Sequence, residues 1–515
     1  MTTPPPPRAD LAEEEYTELR AALSRSGYSE EAVLARLGVT ALADIFEGGF
    51  HESISATVAD AFDALIQLFL LGRGVFETAL NETLGPRFIE ICEGQGLLRR
   101  REGAQRFFGT VSIQPSPVEG DGVWIVSDRV VPAPEAMLPS SAQLVYPTVT
   151  PSAGVFLRLL PRRDCGRFVE VCAGCGPAAA LAGDFATEVT ASDIEGRAVA
   201  FCRYNARLNG IPGFRATEAS LYEQLEGAFD VIAAHPPFMP SDGPVEVFYG
   251  GGLDGTDLLR QLIAGLPGKL TPGGLFYAVA MIPEGDAYPV EERVRQWLGE
   301  GASSHDVFFF PLYSRSLVEV AYEASAKLGK GMDAASRYRR TLVEMGHREF
   351  HYGAIVLRRH LREGEEASIQ VRRKLNERTA WRDLLWCIDW EALRKDVAQV
   401  DAMFDAPLTA TPSLEVVVRH RAGTEGLEPT AFAAVTRSPF EMESQIQGWM
   451  AMLLGQADGK RSGRELFAAA KEAGFIHPET PRDEFARLLA TFVSGGFLES
   501  ALCPLPTSPP RAEAE

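Results

Sequence analysis

The chain has 515 residues, 46% of them hydrophobic, which is enough for about three domains with cores of their own. Its net charge of −20 at pH 7 repels nucleic acid and anionic membranes unless basic residues are segregated into a patch. Seven cysteines are an odd and sparse set for this length, so they do not indicate a disulfide scaffold. We expect reduced thiols in a cytoplasmic protein.

The sequence predicts neither export nor membrane insertion. The first sixteen residues carry acids and have no apolar core, unlike a secretory signal or a transit peptide. The most apolar run, residues 62–71, contains Asp63 and Gln67 and is far shorter than the ~20 residues that span a bilayer. It is typical of a buried amphipathic helix.

In chain order, the sequence begins with a Pro-rich segment, residues 1–10, that predicts a disordered tail. Apolar residues then recur at helical spacing, for example Leu19 and Leu23, and predict a helical N-terminal domain over residues 11–108. The β-like runs TVSIQP and VWIVSD, separated by turn residues, predict a β-rich linker over residues 109–150.

The middle of the chain alternates β-rich runs with helical stretches, in the order FVEVCA, EVTASDI, FDVIAAH, LFYAVAMI, VFFF and AIVL. Such alternation predicts βαβ units and a doubly wound parallel sheet, which we place over residues 151–405. The connection over residues 312–351 is long, and we expect it to contain helices.

The last part of the chain predicts a separate module. A β-like run, LEVVVRHRA, is followed by helical patterns over residues 440–454, 463–474 and 482–496. We interpret residues 406–503 as a helical or winged-helix module. Residues 504–515 are rich in Pro, Ser, Ala and Glu and predict a second disordered tail.

The strongest local signal is FVEVCAGCGP, residues 168–177, in which a strand leads into a glycine turn formed by residues 174–177. Glycines at a strand-to-helix turn let the backbone approach a ligand closely, beside the free N–H groups of the next helix. Asp193 ends the next predicted strand, where a carboxylate can accept both hydroxyls of a ribose. We therefore expect a ligand that contains a ribose.

The glycine turn alone also fits a dinucleotide site, since Gly174, Gly176 and Ala179 match that fingerprint with alanine in third place. Two features favour S-adenosylmethionine (SAM) instead. Glu170 places an acid where the amino-acid part of SAM would lie. A pyrophosphate is itself negatively charged and would gain little from an acid at that position. His235-Pro236-Pro237-Phe238 follows the strand FDVIAAH at the carboxyl edge, where open α/β sheets bind ligands.

The order of these motifs resembles the small-domain group of class I SAM-dependent methyltransferases, whose motif is Asn-Pro-Pro-Tyr/Phe. The sequences ARLNG after Asp193, YGGGLDG over residues 249–255 and LTPGG over residues 270–274 also look like that group. The resemblance covers roughly residues 150–360. It implies an α/β fold: a Rossmann-like methyltransferase domain, here flanked by the helical N-terminal domain and the C-terminal module.

The resemblance also implies SAM as the cofactor and S-adenosylhomocysteine (SAH) as its product. In the family, the Asn side chain and a following backbone carbonyl hold a planar amino group in line with the sulfonium methyl, while the aromatic ring stacks on the acceptor. We expect the acceptor site at His235, Pro236, Pro237 and Phe238. We expect the cofactor site at Glu170, Cys172, Gly174, Gly176, Asp193, Ile194, Ser220 and Leu221.

This chain departs from the family pattern at two of these positions. His235 stands at the Asn position, and a neutral imidazole offers one donor and one acceptor in a fixed plane and can also accept a proton. Ser220 lies where many relatives carry an Asp that contacts the adenine amino group, so that contact is expected to be weak.

Three other patterns favour structural interpretations. Cys172 and Cys175 have half of a metal or redox motif but no second pair. His347 and His351 have the spacing of two metal ligands on a helix without a third ligand, so we expect solvent-facing histidines and no metal. The Arg-rich stretch over residues 337–374 is interleaved with glutamates and predicts a solvated helical face.

These observations leave three hypotheses for function. The first is a methyltransferase that methylates a nitrogen, or alternatively an oxygen, on a small molecule or modified peptide of specialised metabolism; the acidic charge and the His-Pro-Pro-Phe variant favour it. The second is an RNA or protein N-methyltransferase whose terminal domains bind a macromolecule, with RNA disfavoured by the net charge. The third is a SAM-binding or peptide-binding partner protein without catalytic activity.

Overall fold

The structure is a computed structural model, and it describes residues 5–46, 50–101, 103, 105–116, 122–129, 144–245, 249–286, 288–362, 364, 368–423 and 426–506. The chain divides into two compact units. The first contains residues 1–307 and 314–368, and the second contains residues 308–313 and 369–515. None of the described helices has the length and apolar character needed to cross a bilayer.

The first unit begins with the predicted helical region. Its helices are α1 (Glu13–Arg25), α2 (Glu30–Leu37), α3 (Phe50–Ser53), α4 (Ala61–Leu65), α5 (Glu77–Thr83) and α6 (Pro86–Gly94), with a 3₁₀ turn at Leu42–Phe46 and a π-helical turn at Ile66–Leu70. Helix α1 buries Leu19 and Leu23 on one face, as their spacing predicts. Residues 5–10 of the predicted tail contain neither helix nor strand, yet the Arg8 N–H donates to the carbonyl of Gln95 at 3.0 Å.

Short strands follow in two groups. They are β1 (Val75–Phe76), β2 (Leu98–Arg100) and β3 (Arg106–Gly109) in one sheet, and β4 (Ser112–Pro115) and β5 (Trp124–Ser127) as an antiparallel pair. The last two strands coincide with the runs TVSIQP and VWIVSD. Residues 117–121 and 130–143 of this segment lie outside the described residues.

The central sheet confirms the predicted alternation of strands and helices. Its elements are α7 (Pro151–Leu159), β6 (Cys165–Val171), α8 (Pro177–Ala182), β7 (Ala186–Asp193), α9 (Gly196–Leu208), β8 (Arg215–Glu218), β9 (Phe229–Ala234), α10 (Asp257–Ala264), β10 (Leu270–Glu284), α11 (Val290–Leu298), β11 (His305–Ser316), α12 (Leu317–Lys327), α13 (Met332–Glu344) and β12 (Glu349–Arg359), with a 3₁₀ turn at Gly299–Ser304. Helices α12 and α13 lie in the connection where we expected helices. The residues of β11 are shared between the two units.

Six strands run in the order β12-β10-β9-β6-β7-β8, with β10 and β12 antiparallel and the other neighbours parallel. In the parallel register, Val171 lies opposite both Ser192 and Ala234. The carboxyl ends of β6, β7 and β9 therefore lie side by side. This alignment places the residues that follow each strand along one edge, where doubly wound sheets bind ligands.

Two asparagines one helical turn apart, in and just after helix α9, hydrogen-bond to the backbone of the linker strand β5. The side chain of Asn209 exchanges two hydrogen bonds with the backbone of Trp124, at 2.9 and 2.8 Å. Asn205 does the same with Val126 and also donates to the carbonyl of Cys175 at 2.8 Å. Asn205, the residue directly before the motif ARLNG, thus connects the linker to the glycine turn.

The second unit contains β13 (Gln370–Arg372), α14 (Trp381–Leu393), α15 (Val397–Asp405), β14 (Pro407–Ala410), β15 (Glu415–Gly423), β16 (Gly426–Thr436), β17 (Met442–Ile446), α16 (Gly448–Gln456), β18 (Asp458–Ser462), α17 (Gly463–Glu472), α18 (Arg482–Ser494) and β19 (Leu498–Ser500). One sheet has the order β18-β14-β19 and another has the order β15-β16-β17. Along the chain, helices α16, α17 and α18 alternate with strands of the sheet β18-β14-β19. This order fits a winged-helix module, and the winged-helix assignment stays a prediction.

Two details of the second unit differ from the predictions. The helix predicted over residues 440–454 is wrong in its first half, because β17 occupies Met442–Ile446 and the helix begins at Gly448. In β17, half-buried residues alternate with exposed ones, and this period of two suits a strand that pairs with β16. Residues 369–405, which we predicted to belong with the central sheet, group with the second unit.

Candidate active site

The glycine turn leaves β6 in a backbone conformation that most residues avoid. Cys172, Gly174 and Gly176 have φ values of +56°, +55° and +74°. A Cβ at Gly174 would meet no protein atom within 4 Å, whereas one at Gly176 would lie 3.0 Å from Cys202 Sγ. Gly176 therefore packs against helix α9, while Gly174 faces open space where a ligand can approach the backbone.

Glu170 lies beneath this turn and is almost fully buried. Its Oε2 accepts the N–H of Ala179 in helix α8 at 2.7 Å, so the carboxyl group braces the turn against the start of the helix. Burial raises the pKa of Glu170 to about 8, although the N–H groups of Ala179 and Ala178 act in the opposite direction. A cationic ligand above the turn would favour its ionised form.

Asp193 ends β7 as expected and contacts the glycine turn directly. Its Oδ2 accepts the N–H of Gly174 at 2.8 Å, and its Oδ1 accepts the N–H of Glu195 at 3.0 Å. A carboxylate has about four acceptor positions, so acceptor capacity remains for a ribose hydroxyl. The next side chain, Ile194, is 58% exposed and offers an apolar surface beside them.

Ser220 and Leu221 lie after β8, next to Asp193. The N–H of Ala219 donates to the carbonyl of Asp193 at 2.9 Å, which fixes the start of this segment. Both side chains are half-buried, and Leu221 has a φ of +49°. The structure thus brings the predicted cofactor residues together along the ends of β6, β7 and β8.

His235 follows β9 and lies in an aromatic stack that the sequence analysis missed. Its ring lies 5.0 Å from that of Phe156, and Phe156 lies 5.4 Å from Tyr277, both with interplanar angles of 13°. Tyr277 donates its hydroxyl to the carbonyl of Phe156 at 2.7 Å, which holds the stack in place. The plane of the imidazole is therefore held by its neighbours.

The imidazole of His235 is neutral at physiological pH, because burial lowers its pKa to about 4. Its Nε2 is sealed from solvent and has no hydrogen-bond partner among the described residues. A buried nitrogen without a hydrogen-bond partner costs free energy. A bound ligand that hydrogen-bonds to Nε2 would remove this cost.

The rest of the acceptor motif faces a second aromatic contact. The ring of Phe238 lies 5.7 Å from His235 and 5.6 Å from Tyr352 on β12. Pro236 is buried, and Pro237 is half-buried. All four motif residues therefore lie at the carboxyl end of β9, beside the cofactor residues at the ends of β6 and β7.

The loop over residues 249–255 packs against the backbone of Phe238. A Cβ at Gly255 would overlap the carbonyl oxygen of Phe238, so this close contact requires glycine. The neighbouring Asp254 is buried; its Oδ1 accepts the N–H and hydroxyl of Thr256, and its Oδ2 lies 3.3 Å from Nε2 of His347. These contacts lower the pKa of Asp254 against the effect of burial.

The expectation of solvent-facing His347 and His351 is wrong. His347 is 3% exposed and lies in the turn after α13, and His351 is buried on strand β12. The two do not share a helix face, because β12 begins between them at Glu349. No group of metal-ligating side chains occurs among the described residues.

The Arg-rich stretch is only partly the solvated helical face we predicted. Arg337, Arg339 and Arg340 are exposed on α13. Arg358 instead lies on β12, where it is buried and pairs with Asp306 at 2.8 Å. Burial raises the pKa of the Cys172 thiol to about 12.

Comparison with known proteins finds methyltransferases. The family described as "Methyltransferase small domain" matches residues 147–285. Release factor glutamine methyltransferases of Deinococcus radiodurans and Mycobacterium leprae are 30% and 31% identical, over 36% and 38% of this chain and 66% and 68% of their own lengths. Ribosomal RNA small subunit methyltransferase C of Chromohalobacter salexigens is 30% identical over 22% of this chain and 31% of its own length. The matches thus span about two thirds of the first two relatives and a third of the last.

Proposed function

This chain belongs to the class I SAM-dependent methyltransferases, and we propose that it methylates a planar nitrogen on a protein substrate. The observation that carries the proposal is the neutral, stacked His235 beside Phe238, at the same sheet edge as the glycine turn. The family membership makes SAM the cofactor. The chemical class of the methyl acceptor is what we propose.

The residues at the sheet edge fit SAM. Gly174 leaves open space above the turn for the amino-acid part of the cofactor, and Glu170 lies beneath it as an acid. Asp193 retains acceptor positions for a ribose, and the exposed Ile194 offers a surface for an adenine ring. When bound, SAM supplies a methyl group already activated by a sulfonium.

The remaining work of the protein is to position the acceptor and exclude water. We assign this role to His235, whose fixed plane and unpartnered Nε2 suit a hydrogen bond to a planar nitrogen group. Phe238 offers a ring face for the same planar group. With a pKa of about 4, His235 is a poor base, so we expect it to orient the acceptor rather than accept its proton.

Two observations favour a protein acceptor over RNA. Two relatives that each match more than a third of this chain are named glutamine methyltransferases, and a glutamine amide is a planar nitrogen group. The net charge of −20 opposes binding to a phosphate backbone. A small molecule or modified peptide is the second candidate, and the replacement of Asn by His235 favours it because that change alters the hydrogen-bond geometry offered to the acceptor.

The test is transfer of labelled methyl from SAM to an extract of the source organism that has been separated into protein, RNA and small-molecule fractions. We expect label in the protein fraction, a methylated nitrogen in its hydrolysate, and loss of label with His235→Ala. The variant His235→Asn, which restores the family residue, should retain SAH affinity while its turnover changes. Label found solely in RNA or in small molecules would refute the proposed substrate class, and equal loss of SAH affinity and rate in His235→Asn would refute the division into two sites.

A further inference from the structure

Strand β15 is a long, free edge in the second unit. All nine residues of Glu415–Gly423 are exposed, and the strand is the outer member of the sheet β15-β16-β17. Within the described part of the chain, it pairs with β16 alone. One side of β15 therefore presents a row of unpaired backbone N–H and C=O groups over about 30 Å.

The edge lacks several of the features that usually prevent pairing with another chain, although it carries charged side chains and its pairing with β16 is irregular between Arg419 and His420. Proteins protect such edges with proline, short strands or a lysine that points inward. β15 has no proline, and its first half carries Val416, Val417 and Val418, which are 39%, 41% and 37% exposed. Consecutive β-branched residues favour a strand conformation, so this edge is ready to accept another strand.

The charges of β15 complement those of a second copy in antiparallel orientation. When Val418 lies opposite itself, Glu415 of each copy lies opposite Arg421 of the other, on the same face of the joined sheet. Val417 then lies opposite Arg419, whose aliphatic stem can cover it. Opposite charges directly across two strands stabilise the pair, and this register contains two such pairs related by symmetry.

Other registers are less favourable. Centring the pair on Arg419 places two arginines opposite each other, which is destabilising. Centring it on Val417 keeps a Glu415–Arg419 pair but shortens the overlap to five residues of β15. From the free edge and this self-complementarity, we propose that two copies of the chain associate through antiparallel pairing of β15, with a twofold axis at Val418.

The test uses the full chain in sedimentation velocity over a range of concentrations. The wild type should show a monomer–dimer equilibrium. Glu415→Arg and Arg421→Glu each place like charges opposite each other twice and should weaken the dimer at least tenfold. The double variant with both changes exchanges the two charges and should restore wild-type association. As a matched control, Glu443→Arg makes the same change of charge on β17, the other edge of the sheet, and should leave association unchanged.

All these residues are on exposed strands, so the variants are expected to fold, and circular dichroism would verify it. A wild type that stays monomeric throughout, or single variants that associate as well as it does, would overturn the proposal. Binding of a DNA or RNA duplex that Arg421→Glu abolishes, in a chain that stays monomeric, would overturn the proposal and assign Arg421 to a nucleic-acid contact instead.

Discussion

Replacing Gly174 by alanine separates cofactor binding from folding. Gly174 has a φ of +55°, and a Cβ there would meet no protein atom within 4 Å. The left-handed conformation costs an alanine about 1 kcal/mol, so the free energy of unfolding should fall by about that amount. The added methyl group would then enter the space that we assign to the amino-acid part of SAM.

The loss of cofactor affinity should exceed the loss of stability. Forcing one methyl group into a close-packed contact costs about 1–3 kcal/mol, which corresponds to about a 5- to 150-fold rise in the SAH dissociation constant. Gly213 is a matched control, since it has a φ of +65° and also meets nothing within 4 Å. It lies in the loop before β8, at the opposite edge of the sheet from the glycine turn.

The assay combines chemical unfolding with calorimetric titration of SAH. Gly174→Ala and Gly213→Ala should lose similar stability, and only Gly174→Ala should lose SAH affinity. Unchanged SAH affinity in Gly174→Ala, or an equal loss in Gly213→Ala, would refute the placement of the cofactor above the turn.

Three further predictions concern the same edge of the sheet. Asp193→Ala removes the acceptor for the Gly174 N–H and for a ribose, so SAH titration should show at least about tenfold weaker binding; unchanged affinity would contradict the ribose placement. Because the pKa of Glu170 is about 8 and the cationic SAM favours its anion, SAM affinity should rise as pH increases from below 8 to above it. Glu170→Gln should flatten this dependence in parallel SAM titrations, and an identical pH profile in both proteins would refute the prediction. Asp254→Asn weakens the contact with His347 in the loop that packs against Phe238. Methyl transfer should therefore slow while SAH affinity is retained, and a loss of SAH affinity would contradict the separate role of this loop.

Most strands of the central sheet could be predicted because they contain apolar runs separated by clear turn signals, whereas the polar strand β8 was not predicted. The run FVEVCAGCGP places a buried strand directly before three residues with positive φ, and two of them are glycines. Asp193 and His235 could be placed at one edge for the same reason, since parallel strands end together. The hydrogen bond between Asp193 and Gly174 is a direct consequence of this register.

The surroundings of His235 could not be predicted, because they come from parts of the chain that are distant in sequence. Phe156 lies on α7, and Tyr277 lies within an apolar run on β10 where nothing distinguishes it from a core residue. The burial of His347 depends in the same way on Asp254, about ninety positions earlier. Polar residues near a helix end are usually exposed, so spacing alone favoured the wrong environment for this histidine.

Calorimetric titration of the purified chain with SAH, with NAD as the control, tests the cofactor site most directly. We expect micromolar binding of SAH and none of NAD, with the SAH signal lost in Asp193→Ala. Binding of NAD alone would mean that the glycine turn holds a pyrophosphate, and it would contradict both the cofactor site and the mechanism built on it.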